Sequence, residues 1–210
     1  MLEKDGYDFT IKEPRENKYG MLLYSRLPLQ DPEVKYLLKA GIPSMHTRIQ
    51  LRSGKWFWFH GLHPVPPSPT EADSSLPRDA ELLIVGRKVK DHTLPAIVAG
   101  DLNDVAWSST TRLFQKTSAL LDPRKGRGIF NTYNAKIPFM RWPLDHVFHS
   151  EHFLLGEMRR LPAFGSDHFP VYVRLVLHSD AATVQSVPSA EAEDVETAKE
   201  KIDKAKGVEP

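Results

Sequence analysis

The sequence predicts an α+β protein whose helices and strands pack in layers (an α/β layered arrangement). Strand-like and helix-like segments alternate along the chain in mixed order, and the second half is rich in strands. Of the 210 residues, 40% are hydrophobic and 10% are aromatic, which supplies enough apolar surface for a core and excludes a wholly disordered chain. This length suits one domain of ordinary size, or one domain followed by a tail.

Three segments in the first half have the composition of strands, namely Tyr19–Ser25, His46–Leu51 and Lys55–Leu62. The third, KWFWFHGL, carries bulky side chains on both faces, so we expect a central strand that is buried on both sides. The sequence PVPPSPT follows it. Because proline has no backbone N–H, this segment cannot join a sheet and is expected to form a stiff loop.

Helices and strands alternate after this loop. Arg78–Val89 has apolar residues at helical spacing, and Ser108 or Ser109 is placed to cap a second helix that runs through Ala119. Between the two helices, Leu94–Gly100 has the composition of a short buried strand. Three further strands are expected, at Leu144–His149, Phe153–Arg159 and Pro170–Leu177.

The composition changes after Leu177. Residues 178–210 contain no Phe, Tyr or Trp, so we expect residues 1–177 to form the domain and 178–210 to form a disordered or partly helical acidic tail, with a short helix near Glu191–Lys206. Residues 179–210 hold eight acidic residues and four lysines, a net charge of −4, which leaves +5 on the rest of the chain. We expect residues 191–210 to be dispensable for stability.

The composition also excludes several classes of protein. The chain has no cysteine, which rules out disulfide scaffolds, thiol nucleophiles and cysteine zinc sites. No apolar run approaches the ~18 residues that span a bilayer, and the first residues, MLEKDGYDFT, lack the apolar region of a signal peptide. We therefore expect a soluble chain, cytoplasmic by default. A charge of +5 attracts phosphate-bearing substrates but is lower than that of a dedicated nucleic-acid binder.

The sharpest chemical signal is the segment AGDLND, residues 99–104, in which an apolar strand ends in a carboxylate. On an extended chain, Asp101 and Asn103 lie two residues apart and point to the same side. A carboxylate can orient or deprotonate a water molecule, and an amide can donate a hydrogen bond to a phosphoryl oxygen. The alternative is a strand end followed by an Asx turn, since Asp and Asn are ordinary loop residues.

Two later segments place polar residues beside apolar ones. In WPLDHVF, Asp145 interrupts an apolar run, so its burial requires a partner. In GSDHFPV, Asp167 and His168 stand just before a strand. A carboxylate such as Asp167 suits a hard cation such as Mg²⁺, and an imidazole suits proton transfer or charge stabilisation. Either Asp145 orients His168 for catalysis, or His168 is a satisfied, half-buried histidine.

Together, GDLN (residues 100–103), LDHVF (144–148) and GSDHFPV (165–171) resemble the endonuclease/exonuclease/phosphatase superfamily, which includes pancreatic deoxyribonuclease, abasic-site endonucleases, neutral sphingomyelinases and inositol-polyphosphate phosphatases. Each motif alone is weak, but the ordered set is specific. The resemblance extends from about Gly6 to Leu177. It is strongest to bacterial members of unassigned substrate, some of which carry membrane helices ahead of the domain. It implies a four-layer α/β/β/α sandwich of the deoxyribonuclease I type.

The resemblance also implies a reaction, the hydrolysis of a phosphate ester by in-line attack of water with Mg²⁺ or Mn²⁺. The substrate would be a nucleic acid, a phospholipid or a small molecule. Asp101 would orient or deprotonate the water and, with Asp167, bind the metal ion, while Asn103 would hold a phosphoryl oxygen. His168, oriented by Asp145, would stabilise the charge that builds on the phosphoryl oxygens.

Two other segments bear on this chemistry. FHGLHPVPPSP, residues 59–69, resembles the family's strand that ends in an active-site histidine. His63 fits that position, near the leaving group, whereas His60 points to the other face of the strand and is expected in the core. In LDPRKGRGIF, Arg124 and Arg127 either touch a substrate phosphate or belong to a solvated loop.

The family's domain begins with two strands that this sequence lacks, the second of which ends in a metal-binding glutamate. Glu3 and Glu13 are the nearest candidates, but neither follows a strand-like apolar run, so neither is assigned as the ligand. We therefore expect an N-terminally incomplete domain, and a membrane-associated one if a longer N-terminus exists. Because loss of the main carboxylate weakens metal binding, the alternative function is an inactive, shortened family member that is non-catalytic or binds a partner.

Overall fold

The computed structural model describes residues 5–67 and 73–207. Within them, the strands are β1 (Phe9–Glu13), β2 (Met21–Ser25), β3 (Leu29–Lys35), β4 (Ser44–Gln50), β5 (Trp56–Gly61), β6 (Ala96–Asp101), β7 (Asp145–His149), β8 (Phe153–Arg160) and β9 (Val171–Leu177). The α-helices are α1 (Leu76–Lys90), α2 (Ser109–Ser118) and α3 (Ala192–Lys206), and a short 3₁₀ helix spans Ala181–Thr183. The predicted α+β class is confirmed.

The central sheet determines where the chemical side chains meet. Its five strands pair in the order β3-β4-β5-β6-β7, with β5 and β6 parallel and the other pairs antiparallel. The carboxyl ends of β5 and β6 and the amino end of β7 therefore share one end of the sheet. There, Asp101 at the end of β6 is paired with Asp145 at the start of β7.

Apolar clusters cover both faces of this sheet. On one face, α1 and α2 pack on β6 and β7 through buried side chains that include Leu82, Phe114 and Phe148. On the other face, Phe57 of β5 packs edge to face against Phe153 of β8, with ring centroids 5.6 Å apart. Strands β8 and β9 form a separate two-stranded ribbon, as do β1 and β2. The described residues thus supply helices, a central sheet and a second set of strands as successive layers.

The elements predicted between residues 19 and 177 are present, with small shifts at their ends, and Ser108 is the residue that caps α2. The proline-rich loop lies partly outside the described residues. Two strands were not predicted, β1 and β3. Strand β3 contains Pro32, and its register with β4 shifts between Gln30 and Glu33, which is the kind of edge position where a sheet tolerates proline. Strand β1 buries only Ile11 and so lacks an apolar pattern.

Residues 192–206 form the short helix that was expected near Glu191–Lys206, but the expectation that this segment is solvated is wrong. They form α3, which packs against α1 and α2 through Ala198 and Ile202, and the latter is 4% exposed. These two residues are four apart and so lie on one face of the helix. The apolar stripe is narrow, which is why composition alone did not reveal it. Among the described residues, no helix is both long and apolar enough to cross a membrane.

Ion pairs also hold α3 in place. Lys201 Nζ lies 2.8 Å from Oδ2 of the buried Asp79 in α1, which also accepts hydrogen bonds from Arg78 and Thr110. Burial alone would raise the pKa of Asp79, but the hydrogen bonds from Lys201 and Arg78 outweigh it and lower the pKa. Removing Lys201 would leave a buried carboxylate with fewer partners, so α3 contributes to the stability of the domain.

We therefore predict that Ile202→Ala lowers the free energy of unfolding by about 2–4 kcal/mol, because the change leaves a cavity between three packed helices. Val195→Ala is the matched control, since Val195 lies on the same helix but is 50% exposed, and it should change stability by less than about 0.5 kcal/mol. Urea denaturation of the two variants measures this difference. Equal, small effects of both substitutions would show that α3 does not dock.

A chain of hydrogen-bonded histidines crosses the sheet beside α1. The Ser44 hydroxyl donates to the Lys35 carbonyl (3.1 Å), and its oxygen lies 2.9 Å from His46 Nε2. The two Nδ1 atoms of His46 and His60 are 2.7 Å apart, and the Nε2 atoms of His60 and His92 are 3.2 Å apart. Because the Ser44 hydroxyl donates its proton to a carbonyl, its oxygen accepts a hydrogen bond from His46. In a chain of neutral imidazoles, His60 then donates to His46, and His92 donates to His60. His60 is fully buried, so its predicted core position is confirmed.

Burial keeps these imidazoles neutral. Burial is the largest cause, the charges of neighbouring histidines and lysines add to it, and together they lower the pKa of His60 to about 2 and that of His46 to about 4. In the unfolded chain both groups titrate near ~6.5. Their contribution to stability is therefore fully present above pH ~6.5 and is lost as the pH falls and the unfolded chain takes up protons.

We predict that lowering the pH from 7 to 5 costs the wild type about 2 kcal/mol of folding free energy for each such histidine. His60→Gln, which is less stable at pH 7 because its neighbours lose partners, should lose about 2 kcal/mol less over the same interval. The exposed His152 provides the control variant His152→Gln, whose pH dependence should match that of the wild type. Urea titrations at the two pH values measure these differences. Identical pH dependence in wild type and His60→Gln would contradict the account.

Candidate active site

A cavity of about 750 Å³ opens at the end of the sheet where Asp101 and Asp145 are paired. It collects residues from the ends of β5 and β6, the start of β7, and the loops before β7 and β9. The residues that line it are Lys18, His63, Pro66, Pro67, Asp101, Asn103, Tyr133, Trp142, Leu144, Asp145, Asp167 and His168. Six of the residues that the sequence singled out are thus in one cavity.

Gly100 allows the ends of β5 and β6 to approach each other closely. A Cβ at this position would lie 1.9 Å from the carbonyl oxygen of Leu62, and the φ of Gly100 is +145°, where side chains are strained. The Leu62 N–H donates to the Ala99 carbonyl at 3.0 Å, which continues the parallel pairing past the end of β5. The next residues on the two strands, His63 and Asp101, are consequently neighbours.

Asp101 lies between two imidazoles. Its Oδ2 is 3.7 Å from His63 Nε2 and also 3.7 Å from His168 Nε2, and its Oδ1 accepts a hydrogen bond from the backbone N–H of Asn103 at 2.9 Å. Burial is the main reason that the pKa of Asp101 is raised to about 7, and the negative charge of Asp145 raises it further. A carboxylate with this pKa can exchange a proton with a bound water near neutral pH.

A hydrogen bond joins Asp145 and His168, and the role of this pair in catalysis stays a prediction. The His168 Nδ1 lies 2.7 Å from Asp145 Oδ2, so Nδ1–H donates to the carboxylate and Nε2 faces Asp101. Burial would lower the pKa of His168, but the hydrogen bond and the charge of Asp145, with the charges of Asp101 and Asp167, raise it. The raised pKa favours an imidazolium, which can attract a negatively charged oxygen.

Asn103 is anchored from two sides. It has a φ of +51°, and its side-chain amide donates to the Pro64 carbonyl at 2.9 Å, which ties the loop after β6 to the loop after β5. Its own carbonyl accepts a hydrogen bond from Arg78 Nη1 at 2.7 Å. Because Arg78 is in turn held by Asp79, which Lys201 contacts, the docked helix α3 is linked to the loop that carries Asn103. The hydrogen bond to the Pro64 carbonyl fixes the orientation of the Asn103 amide, and so also the direction of its second N–H.

Three ligating side chains are close enough to share a cation. One ligand atom each from Asp101, Asp145 and His168 lies within 4.8 Å of the others. Burial and the charge of the neighbouring Asp145 raise the pKa of Asp101, and a cation beside the two carboxylates would offset both effects. Hard divalent cations prefer carboxylate oxygens, so the donor set fits Mg²⁺ or Mn²⁺. Asp167, which the sequence paired with Asp101 as a ligand, is exposed in the same cavity but outside this cluster, so its role stays a prediction.

The two arginines predicted to bind substrate do not line this cavity. Arg124 is 5% exposed and is held by Asp122 (2.7 Å) and by His146 Nδ1 (2.6 Å). It is therefore neither a solvated loop residue nor in reach of the cavity, and its charge is neutralised by a buried carboxylate. Arg127 is exposed and donates to backbone carbonyls of its own loop. The prediction that Arg124 and Arg127 contact a substrate phosphate therefore gains no support from this cavity and stays a prediction.

The nearest glutamates supply no ligand among the described residues. Glu13 at the end of β1 pairs with Arg15 at 2.9 Å and does not line the cavity. Glu3 lies outside the described residues. The cation cluster at this end of the sheet is therefore built from Asp101, Asp145 and His168 alone among the residues that the structure describes.

Sequence inspection missed Lys18 and Tyr133, which line the cavity. Tyr133 packs beside His168 with ring centroids 4.9 Å apart. A lone lysine in a loop and a lone tyrosine carry no periodic or motif signal, so only the fold reveals them. The buried His146, next to Asp145, has a structural role, because its Nε2 contacts the Asp104 carbonyl at 2.8 Å.

Comparisons with known proteins agree with this geometry. A sequence model of the endonuclease/exonuclease/phosphatase family matches residues 2–168, most of the chain. No curated protein matches the sequence significantly.

Solved structures with a similar fold share little sequence identity with this chain. D. rerio TDP2 complexed with a single-strand DNA product is 16% identical, with a TM-score of 0.67 over 83% of this chain and 80% of that one. The human nocturnin catalytic domain with bound sulfate is 16% identical, with a TM-score of 0.65 over 84% and 74%. A mannosyl-6-phosphatase from Bacteroides thetaiotaomicron is 20% identical, with a TM-score of 0.57 over 75% and 70%. At these identities the similarity establishes a shared fold.

Proposed function

The chain belongs to the endonuclease/exonuclease/phosphatase family, and we propose that it is a divalent-metal-dependent phosphoesterase that hydrolyses its substrate by in-line attack of water. One observation carries the proposal. The carboxylate of Asp101 lies 3.7 Å from the imidazoles of both His63 and His168, in a cavity large enough for a phosphate ester. This arrangement offers a proton acceptor and two groups that can face developing negative charge.

The residues divide the reaction between them. Asp101 orients the water and takes its proton as the new bond to phosphorus forms. His168, held by Asp145 at 2.7 Å, stabilises the charge on the phosphoryl oxygens, and the amide of Asn103 holds one of them. As the old bond to phosphorus breaks, its electron pair departs with the leaving-group oxygen, and His63 donates a hydrogen bond to that oxygen. Each group is fixed by a hydrogen bond or ion pair before substrate binds, so little reorganisation is needed in the transition state.

Asp101, Asp145 and Asp167 are the carboxylates that would hold Mg²⁺ or Mn²⁺ at this cavity. When bound, such an ion supplies Lewis-acid polarisation of a phosphoryl oxygen and offsets its negative charge. The high pKa of Asp101 supports this assignment, because burial and the neighbouring Asp145 carboxylate both disfavour its ionised form, and a bound cation would offset both.

The proposal leaves the substrate as a phosphate ester of a nucleic acid, a phospholipid or a small molecule. Proteins of the same fold are described with single-strand DNA, in the case of D. rerio TDP2, and as a mannosyl-6-phosphatase in Bacteroides thetaiotaomicron. Because the fold hosts both, the choice depends on residues outside the catalytic group.

Hydrolysis of bis-p-nitrophenyl phosphate tests the proposal. We predict turnover by the 210-residue chain with Mg²⁺ or Mn²⁺ and none with EDTA. Asp101→Asn and His168→Ala should each lower turnover by about 10²-fold or more, because each removes a group that acts on the reacting atoms. His152→Ala, which changes an exposed histidine outside the cavity, is the matched control and should retain wild-type turnover.

Wild-type turnover in Asp101→Asn or His168→Ala would refute the site assignment, and turnover that survives EDTA would refute the metal dependence. A folded wild-type chain with no turnover on any phosphate ester would instead favour the non-catalytic alternative. Circular dichroism of each variant shows whether a loss of turnover reflects chemistry or unfolding.

A further inference from the structure

The hairpin of residues 133–142 carries an exposed apolar tip beside the cavity. The tip is the sequence Ile137-Pro138-Phe139-Met140, in which Phe139 is 95% exposed, Met140 57% and Ile137 43%. In the loop before His168, Phe164 is 73% exposed. Soluble proteins rarely expose neighbouring large apolar side chains to this extent unless the surface binds a partner.

The tip has a fixed position relative to the catalytic residues. The Tyr133 N–H donates to the Trp142 carbonyl at 2.9 Å, which closes the stem of the hairpin. The Ala135 N–H donates to the Asp167 carbonyl at 2.7 Å, which fastens the stem to the loop that carries His168. Whatever the tip binds is therefore held next to the mouth of the cavity.

The stem and the tip face different surroundings. Tyr133 and Trp142 of the stem line the cavity, whereas none of residues 137–140 does. A substrate group inside the cavity thus contacts the stem, and the tip contacts a surface outside it. Three of the four residues of the tip, Ile137, Pro138 and Met140, offer no flat face on which a nucleic-acid base stacks, and Phe139 is the only aromatic residue among them.

The charges around the tip select the kind of surface. The exposed Lys136 and the half-buried Arg141 flank the four apolar residues, and residues 129–143 contain no acidic side chain. Apolar side chains that enter the acyl boundary, flanked by cations at headgroup level, are the pattern of a segment that binds an anionic bilayer. A stable protein interface buries ~800 Å² on each partner, which is more than one four-residue turn provides.

We propose that residues 137–140 insert into the surface of an anionic lipid bilayer and hold the cavity at the level of the headgroups. This inference rests on the proposed function for its second part, that the phosphate ester presented to Asp101 and His168 is a phospholipid headgroup. The docking itself depends only on the exposed tip and its flanking cations.

Co-sedimentation with vesicles tests the docking. The wild type should bind vesicles of phosphatidylcholine and phosphatidylserine, and bind phosphatidylcholine vesicles much more weakly. The double variant Phe139→Ser, Met140→Ser should lose binding by at least about tenfold, because two inserting side chains become polar. Val184→Ser is the matched control, since Val184 is 71% exposed but lies outside the hairpin, and it should bind as the wild type does.

Turnover of bis-p-nitrophenyl phosphate separates this inference from the proposed function. The double variant should hydrolyse this soluble ester as the wild type does, but should lose turnover of a phospholipid in vesicles. If the wild type binds vesicles and hydrolyses neither ester, the docking stands and the proposed function fails. If it hydrolyses the soluble ester and does not bind anionic vesicles, the docking is refuted and the proposed function stands.

Two other results would overturn the docking. If the wild type self-associates in sedimentation velocity and the double variant is monomeric, the tip is an interface between copies of this chain. If the wild type binds single-stranded DNA and the double variant does not, the tip serves a nucleic acid. Equal binding to neutral and anionic vesicles would refute the role of Lys136 and Arg141.

Discussion

The site depends on the close approach of two parallel strands at Gly100. A Cβ there would lie 1.9 Å from the Leu62 carbonyl oxygen, so only glycine lets β5 and β6 run together to their ends. This approach brings His63 to Asp101, and the antiparallel pairing of β6 with β7 brings Asp145 to Asp101 from the other side. The grouping of these three side chains is therefore a consequence of strand register, and the loop with His168 completes the candidate site.

Much of this site could be predicted because its residues stand at strand ends in an ordered set of motifs. Asp101, Asp145 and His168 are flanked by apolar runs that fix where each strand stops, and the cavity indeed contains all three. Arg124 was expected on a solvated loop or at a substrate phosphate, because a run of charged residues in the sequence does not show that Arg124 is buried and paired with Asp122. The helix near Glu191–Lys206 was expected, but its packing was not, because its buried stripe is only as wide as Ala198 and Ile202 and the surface that receives it belongs to α1 and α2.

Helix α3 and the 133–142 hairpin are both linked to the candidate site, on opposite sides of it. Helix α3 lies behind it, where Lys201 contacts Asp79 at 2.8 Å and Asp79 holds Arg78 under the Asn103 carbonyl. The 133–142 hairpin lies in front of it, where its stem forms part of the cavity wall and its tip is exposed. The first contact holds the loop that carries Asn103, and in our proposal the second determines which surface the cavity meets. Buried charge pairs suit the former, and exposed apolar side chains suit the latter.

The most direct test of this account is an anomalous difference map from crystals of the chain grown with Mn²⁺ and inorganic phosphate. The account predicts a manganese peak in contact with the carboxylate of Asp101, with phosphate in the same cavity near His168 and Asn103. Manganese and phosphate bound elsewhere, or a cavity that stays empty at saturating concentrations of both, would contradict the assignment of this end of the sheet as a metal-dependent phosphoesterase site.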